Sequence, residues 1–221
     1  MGDTYYIAVI DPAARVAETD CHNRIAQQSP VACCYYLPAL QGDKLPPVDQ
    51  RLRGIIIFGS GASVHDSLDW QNHLKEWLST TIAANIPTLG ICYGHQLIAH
   101  MLGGTVEFLH SDQTKRVGVR PISFFAAPLP WLSPKTYPLV VSHRETVTVP
   151  PPDFTVVAKS DEIAIEALKH NSKPIYTVQS HPEATLTFLR NQSIPEPENS
   201  DWYGHGFAIV DEFIRKVALD S

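Results

Sequence analysis

Short apolar runs alternate with amphipathic stretches through the first half of the chain. Tyr5-Tyr6-Ile7-Ala8-Val9-Ile10, Val31-Ala32-Cys33-Cys34-Tyr35-Tyr36-Leu37, Gly54-Ile55-Ile56-Ile57-Phe58 and Thr88-Leu89-Gly90-Ile91 each lack the polar alternation of a half-exposed strand. A strand covered on both faces needs apolar residues at successive positions, so these runs predict a parallel sheet sandwiched between helices. Residues 13–28, residues 70–84 and the run that starts at Gln96-Leu97-Ile98-Ala99 carry helical spacing and supply those helices. A Pro-rich stretch through Pro38, Pro46 and Pro47 reads as a loop.

The second half changes character. Residues 105–108, 116–122, 138–141, 155–158, 164–168 and 175–178 read as strands, punctuated by Pro128, Pro130, Pro134 and Pro150-Pro151-Pro152. This pattern predicts antiparallel strands laid on or beside the parallel core. Residues 191–206 read as a surface loop, and residues 207–219 as an amphipathic closing helix. The expected architecture is α/β: a mostly parallel central sheet flanked by helices, with an additional small antiparallel sheet. A chain of 221 residues suits one large domain, taken as 1–221.

Composition narrows the function. The chain is 44% hydrophobic and 18% charged, enough to bury a core. A net charge of -6 without a Lys/Arg run argues against nucleic acid. No apolar stretch spans a membrane, and the N-terminus has no basic-then-apolar signal region. Cys21, Cys33, Cys34 and Cys92 form no CxxC pair, which points to a reducing, cytoplasmic setting. Without a secretory signal, the sequon Asn191-Gln192-Ser193 is read as chance. The histidines at 65, 73, 95, 100 and 110 fit no zinc spacing, and Gly59-Ser60-Gly61 lacks the third glycine of a dinucleotide fingerprint. No metal and no cofactor are expected.

Gly90-Ile91-Cys92-Tyr93-Gly94 joins a strand to a helix with a cysteine at the apex. The G-x-S-x-G elbow uses glycines at the same two places so that strand and helix pack tightly around a strained nucleophile. At a helix N-terminus, unpaired N–H groups and the dipole favour a thiolate. The same five residues also fit a buried structural cysteine before a helix. Val178-Gln179-Ser180-His181-Pro182-Glu183 closes the last strand. His181 and Glu183 are two apart and share a face if the strand geometry persists, and Pro182 stops the ladder. A carboxylate beside an imidazole can hold its tautomer and stabilise the imidazolium. Alone, this pair is a weak signal, and a surface His near a Glu is its more common meaning; with Cys92 it makes a nucleophile, a base and an orienting acid.

These segments together resemble the class I (triad-type) glutamine amidotransferase domain, which has a flavodoxin-like or Rossmann-like fold. Ile56-Ile57-Phe58-Gly59-Ser60-Gly61 resembles the family's third-strand loop, and Val141-Ser142-His143-Arg144-Glu145-Thr146-Val147 its glutamine-pocket segment. The resemblance runs from about residue 5 to residue 190, with the four landmarks in order. It implies that Cys92 forms a γ-glutamyl thioester, that His181 is the base and that Glu183 orients it. It implies oxyanion donors at the backbone N–H groups of Ser60 and Tyr93. It implies a substrate pocket from Gly59, Gln96, Ser142, His143, Arg144 and Glu145. The chain departs from the family wording at Ser60, Gly61 and Ser180. It has no room for a synthetase domain, so the implied partners are glutamine and a separate synthase. Two alternatives remain: a stand-alone hydrolase of γ-glutamyl peptides or conjugates, and a catalytically silent regulatory relative.

Overall fold

All positions of β1 (Tyr6–Ile10) and β4 (Thr88–Ile91) are buried, as the unbroken apolar runs require of strands inside a sandwich. The computed structural model describes residues 4–125, 132–198 and 201–219; Pro128 and Pro130 lie outside the described residues. After β1 come α1 (Thr19–Gln28), β2 (Ala32–Tyr36), β3 (Leu52–Ile57), α2 (Asp69–Ala83), β4 and α3 (Tyr93–Met101). The chain continues through β5 (Thr105–Phe108), β6 (Arg116–Phe124), β7 (Thr136–His143), β8 (Glu145–Val149), β9 (Phe154–Lys159), β10 (Ala167–His170) and β11 (Ile175–Val178). It closes with α4 (Leu186–Asn191) and α5 (Asp201–Leu219).

A nine-stranded sheet has the order β2-β1-β3-β4-β11-β10-β9-β6-β7. The β2-β1-β3-β4-β11 half is parallel throughout. The other half is antiparallel and extends the same sheet from β11. A separate antiparallel pair, β5 with β8, supplies the additional small sheet. Both parts of the sequence expectation are therefore present, with the antiparallel strands continuing the core sheet edge to edge.

Side-chain alternation divides the core between the two faces. Ile7, Val9, Ile56, Leu89 and Ile91 pack with Cys21 and Ile25 of α1 and with Ile209, Val210 and Phe213 of α5. Ala8, Ile10, Ile55 and Ile57 pack with Leu74 and Leu78 of α2 and Leu97 and Ile98 of α3. The sheet curls so that its distant edge returns to the centre: His181 N–H, just past β11, donates to Val140 O of β7 at 2.7 Å. That closure carries the end of β7 to the tip of β4, where Cys92 sits.

Several element bounds differ from the sequence expectation. The first helix starts at Thr19, not 13, because the Asp11 carboxylate accepts the backbone N–H groups of Ala13 at 2.9 Å and Glu18 at 2.8 Å and holds the intervening segment as a loop. The strand expected at 164–168 is Ala167–His170. The closing helix starts earlier than 207, at Asp201, where buried Trp202 joins the core rather than a surface loop. The strand β8 and the short helix α4 were not expected from the pattern.

Candidate active site

Cys92 occupies the step between β4 and α3 with φ 50° and ψ −99°. A non-glycine residue rarely adopts this backbone, and it costs on the order of 1–3 kcal/mol. The two flanking glycines make the turn possible. A Cβ on Gly90 would lie 2.8 Å from the Gly94 carbonyl, and a Cβ on Gly94 would lie 2.8 Å from Ile57 O. Cys92 N–H donates to Val178 O of β11 at 2.8 Å, which locks the elbow to the strand that delivers the imidazole. The strain therefore sits on a residue that its surroundings over-determine.

His181 and Glu183 are both buried. His181 Nδ1–H donates to Glu183 Oε1 at 2.8 Å, which fixes the ring. The ring stacks at a tilt on Phe188 of α4, with centroids 4.6 Å apart. Gly59 allows the imidazole and the thiol to converge: a Cβ there would lie 2.7 Å from His181 Cε1 and 3.5 Å from Cys92 Cβ. His181 Nε2 is buried and makes no hydrogen bond of ordinary geometry among the described residues. Burial alone would depress the proton affinity of this ring. The negative charges of Cys92 and Glu183, with hydrogen bonding from both, outweigh it and push the pKa up to about 10. The ring is therefore held protonated at neutral pH, beside the Cys92 sulfur.

The sulfur has two further neighbours. Gln179 Nε2 donates to Cys92 Sγ at 3.7 Å, and Sγ lies 3.9 Å from Ser142 O. Gln179 Oε1 in turn accepts Gln96 Nε2 at 3.1 Å, and Gln96 Nε2 also donates to Glu145 O at 2.7 Å. Gln96 thus ties α3 to the pocket segment through its amide nitrogen.

All the residues expected from the sequence except Tyr93 come together around one cleft of about 1010 Å³. Gly59, Ser60, Cys92, Gln96, Ser142, His143, Arg144, Glu145, His181 and Glu183 line it. Tyr93 begins α3, so its N–H belongs to the first helical turn, which has no intrahelical acceptor. Its side chain is packing: buried, against Trp70, with its hydroxyl accepting from Gln71. Ser60 Oγ donates to Pro12 O at 2.7 Å and accepts Ala62 N–H at 3.1 Å, so the side chain that departs from the family wording braces its own loop. Ser63 Oγ donates to Glu145 Oε1 at 2.7 Å and joins that loop to the pocket segment. Glu145 is buried and Arg144 exposed. His95 is a core residue hydrogen-bonded to Thr177 Oγ1 at 2.7 Å.

The family model for class-I glutamine amidotransferases matches residues 37–195, which include the elbow, the pocket segment and the His-Pro-Glu turn. The chain belongs to that family. Among curated relatives, the amidotransferase is 33% identical over 147 residues to a glutamine-hydrolysing GMP synthase subunit of Methanocaldococcus jannaschii, covering 65% of this chain and 71% of that protein. It is 32% identical over 214 residues to GMP synthase of Thermosynechococcus vestitus, covering 93% of this chain and 36% of that longer protein. A solved glutamine amidotransferase from Thermotoga maritima shares its fold, with a TM-score of 0.75 at 15% identity, covering 98% of this chain and 97% of that one.

Sequence reasoning missed three residues of this candidate site. Gln179 lay inside the quoted last-strand motif, two residues before the histidine, but nothing local shows that its amide reaches the sulfur. Phe188, on a helix the pattern did not announce, packs on the imidazole, and the buried Oγ of Ser180 has no hydrogen-bond partner among the described residues. Lys115 also lines the cleft, with Nζ donating to Gln192 Oε1 at 2.9 Å; no spacing rule links it to Cys92. Among the described residues, no helix is long and apolar enough to cross a membrane.

Proposed function

We propose that this chain hydrolyses the side-chain amide of glutamine at Cys92 and supplies the ammonia to a separate synthase. The observation that carries the reading is the His181 ring, held by Glu183 at 2.8 Å on one nitrogen and packed against Cys92 over Gly59. The Cys92 thiolate attacks the amide carbon, and the C–S bond forms as the carbonyl π electrons move onto oxygen. Backbone N–H groups of Tyr93 and Ser60 receive that oxyanion. His181 gives its proton to the amide nitrogen; the C–N bond breaks and ammonia leaves. A water then loses a proton to His181 and attacks the thioester. Glutamate departs and the thiolate returns.

The synthase partner is supported by the relatives named as glutamine-hydrolysing subunits of GMP synthase, and by the 36% share of the longer GMP synthase that this chain matches. The whole of 1–221 acts as one amidotransferase domain in this reading. Its four free cysteines fit a reducing compartment such as the cytoplasm.

One observation favours a second reading. The cleft, at about 1010 Å³, extends from Val16 to Gln192 and exceeds what glutamine alone fills. A γ-glutamyl peptide or conjugate would use the same thioester with a larger leaving amine. Glutamate release separates the two. The proposal expects glutamine turnover that Cys92→Ser lowers by at least ~10³-fold and that a γ-glutamyl peptide does not outpace. Faster release from the peptide than from glutamine would favour the second reading. Turnover of neither would leave the silent relative.

A further inference from the structure

Arg120 lies on β6, is 2% exposed, and is not among the residues lining the cleft. Its guanidinium serves three partners. Nε lies 2.8 Å from Glu166 Oε1, Nη1 donates to Glu162 Oε2 at 3.0 Å, and Nη2 donates to His143 Nε2 at 3.0 Å. Guanidinium has donors and no acceptor. The contact with His143 therefore makes Nε2 the bare nitrogen of a neutral ring and leaves the proton on Nδ1. That nitrogen lies 2.9 Å from Glu145 O and donates to it. The same carbonyl accepts Gln96 Nε2 at 2.7 Å. The backbone of the pocket segment is thus held by a histidine whose tautomer depends on a cation behind it.

We propose that Arg120 is a positioning residue for substrate: by fixing the His143 tautomer it sets the 142–145 segment against which the γ-glutamyl group is held. This rests on the amidotransferase reading above. His143 faces Arg120 from β6, Glu162 from the β9–β10 connection, His181 from the end of β11 and His95 from α3. Burial, then the Arg120 charge, drive its pKa down to about 3, against the pull of the Glu145 carbonyl. The ring therefore stays neutral across the working range, and the support it gives the pocket does not change with pH.

The test combines nitrogen-15 NMR of the histidines with kinetics on the full chain. In the wild-type protein His143 should show a bare Nε2 and a protonated Nδ1, unchanged from pH 5 to 8 on the ordinary histidine scale. In Arg120→Met that signature should be lost. The KM for glutamine should rise roughly tenfold while kcat changes by less than about threefold. Arg120→Lys keeps a cation for Glu162 and Glu166 without the fork, so it should show the same KM effect in a protein that folds. His143→Asn keeps a donor near Glu145 O but, with its shorter side chain, lacks the Nε2 acceptor that Arg120 holds. In that background Arg120→Lys should leave KM unchanged, whereas a merely structural arginine would multiply its effect. A proton on Nε2 of wild-type His143, or an unchanged KM in Arg120→Lys, overturns the inference alone. Wild-type protein inert toward glutamine overturns the amidotransferase reading, and this inference with it.

Discussion

In the proposed hydrolysis His181 is the acid–base, and the charges of Cys92 and Glu183 both bear on its buried ring. Glu183→Gln removes a negative neighbour, so the ring's pKa should fall below the wild-type value of about 10 in an NMR titration; Cys92→Ala should lower it also. The Glu183 change should cost about 10²–10⁴-fold in glutamine turnover, the usual range for a compromised general acid–base. The direction of the shift also fixes a stability trend. A histidine raised above its ordinary value of about 6.5 stabilises the fold fully below that pH and loses the contribution as pH climbs through its folded value. The stability margin of wild type over Glu183→Gln should therefore narrow between about pH 6.5 and 10 in thermal unfolding. A margin that widens over this window contradicts the ion pair.

At the scale of elements, the elbow depends on contacts closer than any side chain allows. Gly94→Ala would place a methyl 2.8 Å from Ile57 O and 2.9 Å from Ile57 Cβ, so strand and helix must part. The cost should be about 1–3 kcal/mol in urea unfolding. Gly59→Ala meets a side chain instead: the His181 ring must give way, and turnover should drop about 10²-fold. The elbow was legible in the sequence because its chemistry is local. Five consecutive residues set strand, turn and helix, and the apolar runs on either side fix the register. The His-Pro-Glu turn was legible for the same reason. The elements misread were those decided at a distance. Residues 11–18 resist helix because the Asp11 carboxylate holds their N–H groups, and α5 gains its first turns from the packing of Trp202.

At the scale of the whole molecule, the curl of the sheet brings the end of β7 to the thiol at the tip of β4. No pattern along the chain announces that closure. Arg120 and Gln179 became visible only once the chain was folded, since each acts on a residue distant in sequence. The family resemblance supplied the pocket segment; the structure supplied what stands behind it. If the chain serves a synthase, glutamine hydrolysis by the purified protein should be slow and should rise when a GMP synthetase partner is added. Equal rates with and without that partner would contradict a docked role.

The most direct measurement is peptide mass spectrometry after treatment with a glutamine-analogue electrophile. A γ-glutamyl-like adduct on Cys92 alone among Cys21, Cys33, Cys34 and Cys92, blocked by glutamine and lost in His181→Ala, is the expected result. An unlabelled Cys92, or labelling spread over the four thiols and indifferent to glutamine, would contradict a substrate-addressed nucleophile at the elbow.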